Sequence, residues 1–259
     1  YAVYVKNPAS ARSEALCNVA PEFHLNPAFV AKQMPHLRGD GTYRSRLGFF
    51  DDEFVSVEWS NAKFGGFALA NVTSCADIEA RQFATEQPDY YWSANRANVL
   101  LGGGYAYKFL KFGAAWRHVY EKIEQKSFDA NLFSLGIAAQ YANFTAGISA
   151  LDLGGDHNYF DFVFSPPTVY NASLWYDSKF ISGGIAAQKP NEGDALFGIA
   201  AEAKPVSWAQ LRAGAKLGGE ETQISFGAGF MHKNIRLDYG ISFCGQLGQN
   251  HTIGIGYGI

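Results

Sequence analysis

Residues 235–243 read IRLDYGISF and residues 252–259 read TIGIGYGI, and in both stretches apolar residues alternate with small or polar ones. Successive side chains of a β-strand point to opposite faces, so each stretch predicts a strand with one apolar face. Similar stretches recur from about residue 42 to the C-terminus, joined by short polar turns. Because an open sheet would leave an unprotected edge strand, this pattern favours a sheet closed into a barrel.

The composition fits a barrel that lies in a membrane. Aromatic residues make up 15% of the 259 residues and charged residues only 17%, yet the mean hydropathy is −0.12. No stretch approaches the roughly 18 consecutive apolar residues of a membrane helix. Strands that face lipid on one side and water on the other combine many aromatics with the absence of a long apolar run. Composition alone also permits a soluble β-sandwich, propeller or lipocalin-like barrel.

The lengths of the connections predict an orientation in the membrane. Residues 41–259 divide into about fourteen antiparallel strands, the first at about 42–50, and an even number is typical of bacterial outer-membrane barrels. Connections after even-numbered strands are short, as at residues 141–142, whereas the two long ones, 73–95 and 151–168, follow odd-numbered strands. Short periplasmic turns opposite longer external loops are the asymmetry of outer-membrane barrels.

Charged side chains occupy the face opposite the apolar one. A charge that faces lipid near mid-membrane costs roughly 2–4 kcal/mol, so the charged face is expected to point into the lumen. Its residues are Arg44, Arg46, Glu58, Arg117, Arg212, Arg236 and Asp238. A conduit for apolar solutes would prefer an apolar lining, so these mixed charges indicate a polar pore or a plugged lumen. We expect Arg12, Glu14 or Glu22 to pair with them; the alternative is that the charges are only solvated.

Residues 1–40 differ from the rest of the chain. They are rich in proline, and residues 9–20 have the pattern of a short helix. Residues 9–31, ASARSEALCNVAPEFHLNPAFVA, resemble the start of the PorV/PorQ family of FadL-like outer-membrane proteins. In that family a small-residue segment with an arginine precedes a second segment that ends in Asn-Pro-Ala. The corresponding residues of this chain are Asn26, Pro27 and Ala28.

Weaker matches to the same family follow in order at residues 77–81, 104–107, 211–214 and 237–240. The resemblance implies an all-β, antiparallel transmembrane barrel of about fourteen strands at residues 41–259, with residues 1–40 folded into the lumen as a hatch or plug. It also implies an accessory, scaffold or shuttle role in type IX-like protein secretion. We therefore expect a bacterial outer-membrane protein, its signal peptide already removed, that contacts outer-membrane lipid and other outer-membrane or secretion-system proteins.

Aromatic residues in the two long external loops are candidate anchors for a partner protein. They are Tyr90, Tyr91 and Trp92 in one loop and Tyr159 and Phe160 in the other. The alternative is that these side chains fold over the barrel mouth. Two other functions also stay open at this point: a FadL-like passive channel for hydrophobic small molecules, and a structural subunit of a larger outer-membrane assembly.

Enzymatic, metal and nucleic-acid functions are not expected. The six histidines are scattered, and a solvated loop explains why His157 lies near two aspartates. The cysteines Cys17, Cys75 and Cys244 lack metal-binding spacing, so no metal or cofactor is predicted, and the sequence leaves their disulfide state open. A net charge of −3 without a basic run gives no site for nucleic acid.

Overall fold

The computed structural model of the protein is a β-barrel preceded by two short helical turns. It describes residues 9–32, 35–46, 50–81, 86–124, 126–155, 157–159, 162–164, 166–218, 222–245 and 248–259. The helical turns are α1 (Ala11–Ala15) and a 3-10 helix (Pro27–Val30). The strands are β1 (His36–Arg46), β2 (Phe50–Ser60), β3 (Phe64–Ala80), β4 (Tyr90–Tyr107), β5 (Leu110–Ile123), β6 (Lys126–Tyr141), β7 (Phe144–Leu153), β8 (His157–Tyr159), β9 (Phe162–Phe164), β10 (Val169–Asp177), β11 (Ile181–Pro190), β12 (Leu196–Val206), β13 (Ala209–Leu217), β14 (Gln223–His232), β15 (Ile235–Phe243) and β16 (Gln249–Gly258).

Fourteen of these strands form one closed sheet, which confirms the predicted fold class. Each barrel strand pairs antiparallel with the next along the chain, β10 follows β7, and β1 pairs with β16 to close the barrel. Strands β8 and β9 form a separate hairpin inside the connection between β7 and β10. Across the described part of the chain, no helix is both long enough and apolar enough to cross a membrane.

The alternation in the sequence maps onto the two faces of the barrel. On β16, Ile253 is 60% exposed on the outer face, whereas the neighbouring Thr252 is 1% exposed on the inner face. On β15, Leu237 and Tyr239 face outward, and Asp238 is buried between them. The outer wall is therefore the apolar one, as a surface in contact with lipid requires.

The first strand begins six residues earlier than the sequence predicts. Strand β1 starts at His36, not at about residue 42, and it pairs with β2 and β16 along this extra length. Two of the three outward-facing positions of this part are Gly39 and Gly41, so only Leu37 marks it with an apolar side chain and no alternation is visible in the sequence. Hydrogen bonding to two neighbouring strands determines where the strand begins.

The prediction of one long loop at residues 73–95 is wrong. Strand β3 continues to Ala80 and β4 begins at Tyr90, and the two pair along this length, with a register shift between Cys75 and Ile78. Strands β3 to β6 have 14 to 18 residues, whereas β13 and β15 have 9. The four long strands therefore extend beyond their neighbours on the side of the long connections. Strands above a membrane face water on both sides and lose their apolar alternation, which hides them in the sequence.

Candidate functional site in the barrel lumen

The described part of the hatch, residues 9–32, lies inside the barrel. Helix α1 packs against β13 to β16, and the 3-10 helix packs against β2 to β6. These strand groups lie on different sides of the closed sheet, so the hatch reaches from one wall to another. Its apolar residues are almost completely buried, among them Ala15, Leu16, Val19, Ala28 and Val30. The hatch therefore fills the space that would otherwise be the core of the pore.

The Asn-Pro-Ala motif both starts the 3-10 helix and attaches it to the wall. The side-chain oxygen of Asn26 accepts a hydrogen bond from the backbone N–H of Ala28 at 3.0 Å, which caps the helix. Pro27 occupies the first helical position, where its missing N–H costs nothing. The side-chain amide of Asn26 donates to the carbonyl oxygens of Ile137, on β6, and Ile148, on β7, at 3.1 and 3.0 Å.

Glycines on the inner wall let the hatch approach the strands closely. A Cβ atom at Gly113 would lie 2.6 Å from the carbonyl oxygen of Pro27, and one at Gly240 would lie 2.6 Å from that of Ala11. Both distances are far shorter than an ordinary contact, so any side chain there would displace the hatch. Strand glycines of this kind mark the close approach of another segment.

A buried group of charges joins α1 to β1 and β2. Arg44 and Asp52 are 1% and 0% exposed, and Arg44 Nε donates to Asp52 Oδ2 at 2.9 Å. Arg44 Nη1 also lies 3.4 Å from Oε2 of Glu14 in the hatch, and the Ser242 hydroxyl donates to the other oxygen of Glu14. A buried carboxylate is tolerated only with such partners, so Glu14 ties α1 to a fixed place on the wall.

Arg12 joins the opposite edge of α1 to β12. Its guanidinium lies 3.0 Å from a carboxylate oxygen of Glu22 and 3.2 Å from one of Glu202. Burial lowers the pKa of Arg12, but the two carboxylates outweigh it and raise the pKa above its ordinary value. Glu202 also accepts from Arg212 Nε at 2.7 Å, so hatch and wall share one carboxylate.

From Arg212 the charges continue around the wall with alternating sign. Arg212 Nη1 donates to Asp238 at 2.6 Å, and the ion pairs beyond it each measure 2.6 to 3.9 Å. In order they join Asp238 to Arg236, Arg236 to Asp40, Asp40 to Arg38, Arg38 to Glu58, and Glu58 to Lys32. Lys32 belongs to the hatch, so this chain of charges begins at Arg12 and returns to the same segment. The charges of the inner wall thus neutralise one another and the hatch.

Arg117 belongs to a separate group near the long external connections. Its Nε donates to Asp152 Oδ1 at 2.8 Å, and its Nη1 donates to the side-chain oxygen of Asn98 at 3.4 Å. Asp152 has a φ of 56° and lies at a register shift between β6 and β7. Such a bulge re-aims a side chain, here into the lumen.

The structure places the predicted site residues as follows. The seven charges predicted to face the lumen lie on the inner wall in the contacts above, and Arg46 lies 3.5 Å from Asp52. Tyr90 and Tyr91 are 54% and 58% exposed, on β4 rather than in a loop. Trp92 also lies on β4 and Tyr159 on β8, whereas Phe160 lies outside the described residues.

Sequence reasoning missed Asp40, Asp52 and Asp152. Asp40 shares the inward parity of Arg38 and Arg44 on β1, and Asp52 shares that of Glu58 on β2, so a stricter strand pattern would have found both. Asp152 lies at a bulge, where parity changes, and no pattern of period two could place it.

Within the described ranges, no cluster of three or more His, Cys, Asp and Glu side chains is arranged to hold a metal ion. Cys17, Cys75 and Cys244 are free thiols. The described part of the lumen holds an apolar cluster and paired charges around the hatch.

Comparison with solved structures gives the class of barrel. A deltaS2S3 mutant of the monoaromatic hydrocarbon channel TodX superposes with a TM-score of 0.66 and 13% identity, covering 96% of this chain and 97% of that one. The Pseudomonas putida toluene transporter TodX gives a TM-score of 0.63 and 12% identity, covering 90% of both chains. The fold is that of an outer-membrane barrel. At these identities the likeness shows the fold alone, and no family model and no curated protein sequence matches the chain.

Proposed function

We propose that the chain is a passive channel of the bacterial outer membrane for small apolar solutes, closed at rest by its hatch. The observation that carries the proposal is the hatch itself, which lies across the lumen of a barrel shaped like the hydrocarbon channel TodX. The apolar outer wall gives the barrel its contact with outer-membrane lipid. Small apolar solutes are the class that the names of these structural neighbours suggest.

The charged lining is compatible with this function because its charges are paired. In sequence the mixed charges argued against an apolar conduit, but the wall and the hatch neutralise them in ion pairs. Beside them, Phe23 of the hatch packs against Phe67 with ring centroids 4.5 Å apart. Other apolar side chains complete this cluster between the hatch and β2 to β5: Val30, Phe54, Leu69, Leu100 and Ala115. An apolar solute has a matching surface there.

A reversible lock on the hatch tests the proposal. The sulfur of Cys17 lies 3.2 Å from the hydroxyl oxygen of Ser225, so Ser225→Cys places a second thiol within reach of a disulfide. Burial raises the pKa of the Cys17 thiol, so oxidation is carried out at alkaline pH with a small permeant oxidant. Bacteria that carry the locked variant should lose uptake of labelled toluene and regain it on reduction.

The matched control is Ser225→Ala, which removes the hydroxyl but adds no thiol. Its uptake should be the same before and after oxidation. The proposal fails if wild-type cells take up toluene no faster than cells without the barrel. It also fails if the locked hatch leaves uptake unchanged, since the solute then crosses by a route that does not need hatch movement.

A second candidate is the PorV/PorQ-type role as an accessory, scaffold or shuttle barrel in protein secretion or in a larger envelope assembly. It is supported by the long strands β3 to β6, which raise the exposed Tyr90 and Tyr91 beyond the neighbouring strands. A photo-crosslinker at Tyr91 should then join the barrel to one defined outer-membrane partner. A crosslinker at the outward-facing Tyr257 is the control, and equal products from both sites would contradict the role.

A further inference from the structure

A groove of about 500 Å³ lies on the outer wall of the barrel. Its lining spans β6, β7, β10, β11 and β12, which are neighbours in the closed sheet. The large side chains of the lining face outward and are between 54% and 61% exposed; they include Leu135, Ile148, Tyr170 and Phe197. The groove therefore opens toward the membrane and not toward the lumen.

Alanines form the floor of the groove. Ala172 on β10 pairs with Ala187 on β11, side by side in one outward row. The same row continues to Ile148 on β7 at one end and to Phe197 on β12 at the other. Because a methyl group projects less than either of these side chains, the row is hollow in its middle. A hydrocarbon chain that fits this hollow gains van der Waals contacts that a flat wall does not offer.

Lys189 gives the groove a positive end. Among the described lining residues it alone is charged, and it pairs across the sheet with Tyr170. It is the next-to-last residue of β11, at the end of the barrel that carries the connection between β7 and β10. Its Nζ donates to the carbonyl oxygen of Gly193 at 2.6 Å. An ammonium group has three donors, so donors remain for an anion.

The shape and charge of the groove define its occupant. A hydrocarbon chain fits the apolar hollow, and a phosphate group complements the ammonium of Lys189 at the membrane boundary. Long connections are external in outer-membrane barrels, so this end of the wall borders the external leaflet. The five strands of the lining span on the order of 20 Å, which is wide enough for several chains side by side. A lipid with phosphate groups and several acyl chains matches all these features.

We propose that the groove binds lipid A, the phosphorylated and multiply acylated glycolipid of the external leaflet. Its acyl chains occupy the hollow over Ala172 and Ala187, and one of its phosphates pairs with Lys189. The site lies on the outer wall, so it depends neither on the hatch nor on the solute that the channel carries.

Filling the hollow tests the apolar part of the site. Native mass spectrometry of the purified barrel in detergent, titrated with hexa-acyl bis-phosphorylated lipid A, should show one bound lipid. Ala172→Phe and Ala187→Phe each displace on the order of ten carbon contacts and should weaken binding about tenfold. Ala213→Phe is the matched control, because Ala213 is an exposed, outward-facing alanine of β13 outside the groove. Its affinity should equal that of the wild type.

A double-mutant cycle tests the charged end. Lys189→Gln should weaken binding about fivefold, and removal of the phosphates from lipid A should weaken wild-type binding by the same factor. Lys189→Gln should bind both forms of the lipid equally, since the two changes remove one interaction. Lys189→Arg should retain the preference for the phosphorylated form. Lys179→Gln, at the turn before the other end of β11, is the control and should change nothing.

The opposite results overturn the inference. Wild-type affinity in both phenylalanine variants rules out the groove, provided that they keep the heat-modifiable migration of a folded barrel. If they do not fold, the Lys189 cycle decides, and independent effects of the two changes overturn the site. Equal affinity for phosphatidylglycerol and lipid A overturns the assignment to the external glycolipid. A dimer mass that Ala172→Phe abolishes makes the occupant a second copy of the chain and also overturns it.

Discussion

Gly240→Ala tests whether the glycine contacts hold the hatch in place. The added Cβ would lie 2.6 Å from the carbonyl oxygen of Ala11 and 3.3 Å from Cβ of Glu14. Ordinary contact begins near 3.4 Å, so α1 must move by about 0.8 Å, on the basis of the shortest distance. Overpacking of this kind costs roughly 1–3 kcal/mol. If the cost falls on the seated hatch alone, the unseated population rises about 5- to 150-fold.

The assay is single-channel conductance in planar bilayers, with protease cleavage of the hatch as a second readout. Gly240→Ala should open more often than the wild type, and its hatch should be cut faster while the barrel still migrates as a folded species. Gly39→Ala is the control, because its Cβ would meet only a carbonyl oxygen at 3.8 Å while the loss of backbone freedom is the same. Equal conductance and equal cleavage of the two variants would refute the reasoning.

Two further predictions concern the buried charges and pH. Arg212→Leu leaves the buried carboxylates of Glu202 and Asp238 with one partner fewer each. It should lower the free energy of unfolding by about 3–5 kcal/mol, read from the denaturant midpoint. An unchanged midpoint would show that water reaches these carboxylates. The pKa of His24 is lowered on folding, so the unfolded chain binds more protons between pH 6.5 and about 4. The contribution of His24 to stability should therefore be constant above pH 6.5 and fall as pH drops to about 4, by at most ~3.4 kcal/mol. His24→Leu should remove this part of the pH dependence, and identical pH profiles would contradict the assignment.

The barrel could be predicted from the sequence because lipid and lumen impose opposite demands on neighbouring side chains. On β16, for example, Ile253 is exposed on the outer face and Thr252 is buried on the inner face, as the alternation requires. The signal fails where that contrast is absent. Gly39 and Gly41 carry no side chain to mark β1, and β3 beyond Thr73 extends past the neighbouring shorter strands, where lipid no longer borders the outer face.

The candidate site was only partly predictable for a related reason. Alternation assigns Arg44 and Arg212 to the inner wall, but it does not show which carboxylate each one meets. Glu14 lies 30 residues from Arg44, and Arg12 lies 190 residues from Glu202, so these pairings follow from barrel closure and not from local pattern. Asp152 was missed because a β-bulge turns its side chain into the lumen, out of the regular alternation. That its Oδ2 has no hydrogen-bond partner among the described residues can be seen only in the structure.

The position of the hatch also fixes the order in which the molecule can assemble. The hatch precedes the barrel strands in the chain, yet α1 rests on β13 to β16, the last four strands of the barrel. Glu14 and its partner Ser242 are 228 residues apart, and contacts of such separation form late in folding. Strand β16 must also pair with β1 before the lumen has a complete wall. A hatch seated in the lumen therefore indicates that the barrel has closed. A chain truncated before β15 would retain a free N-terminal segment that quality-control proteases can recognise.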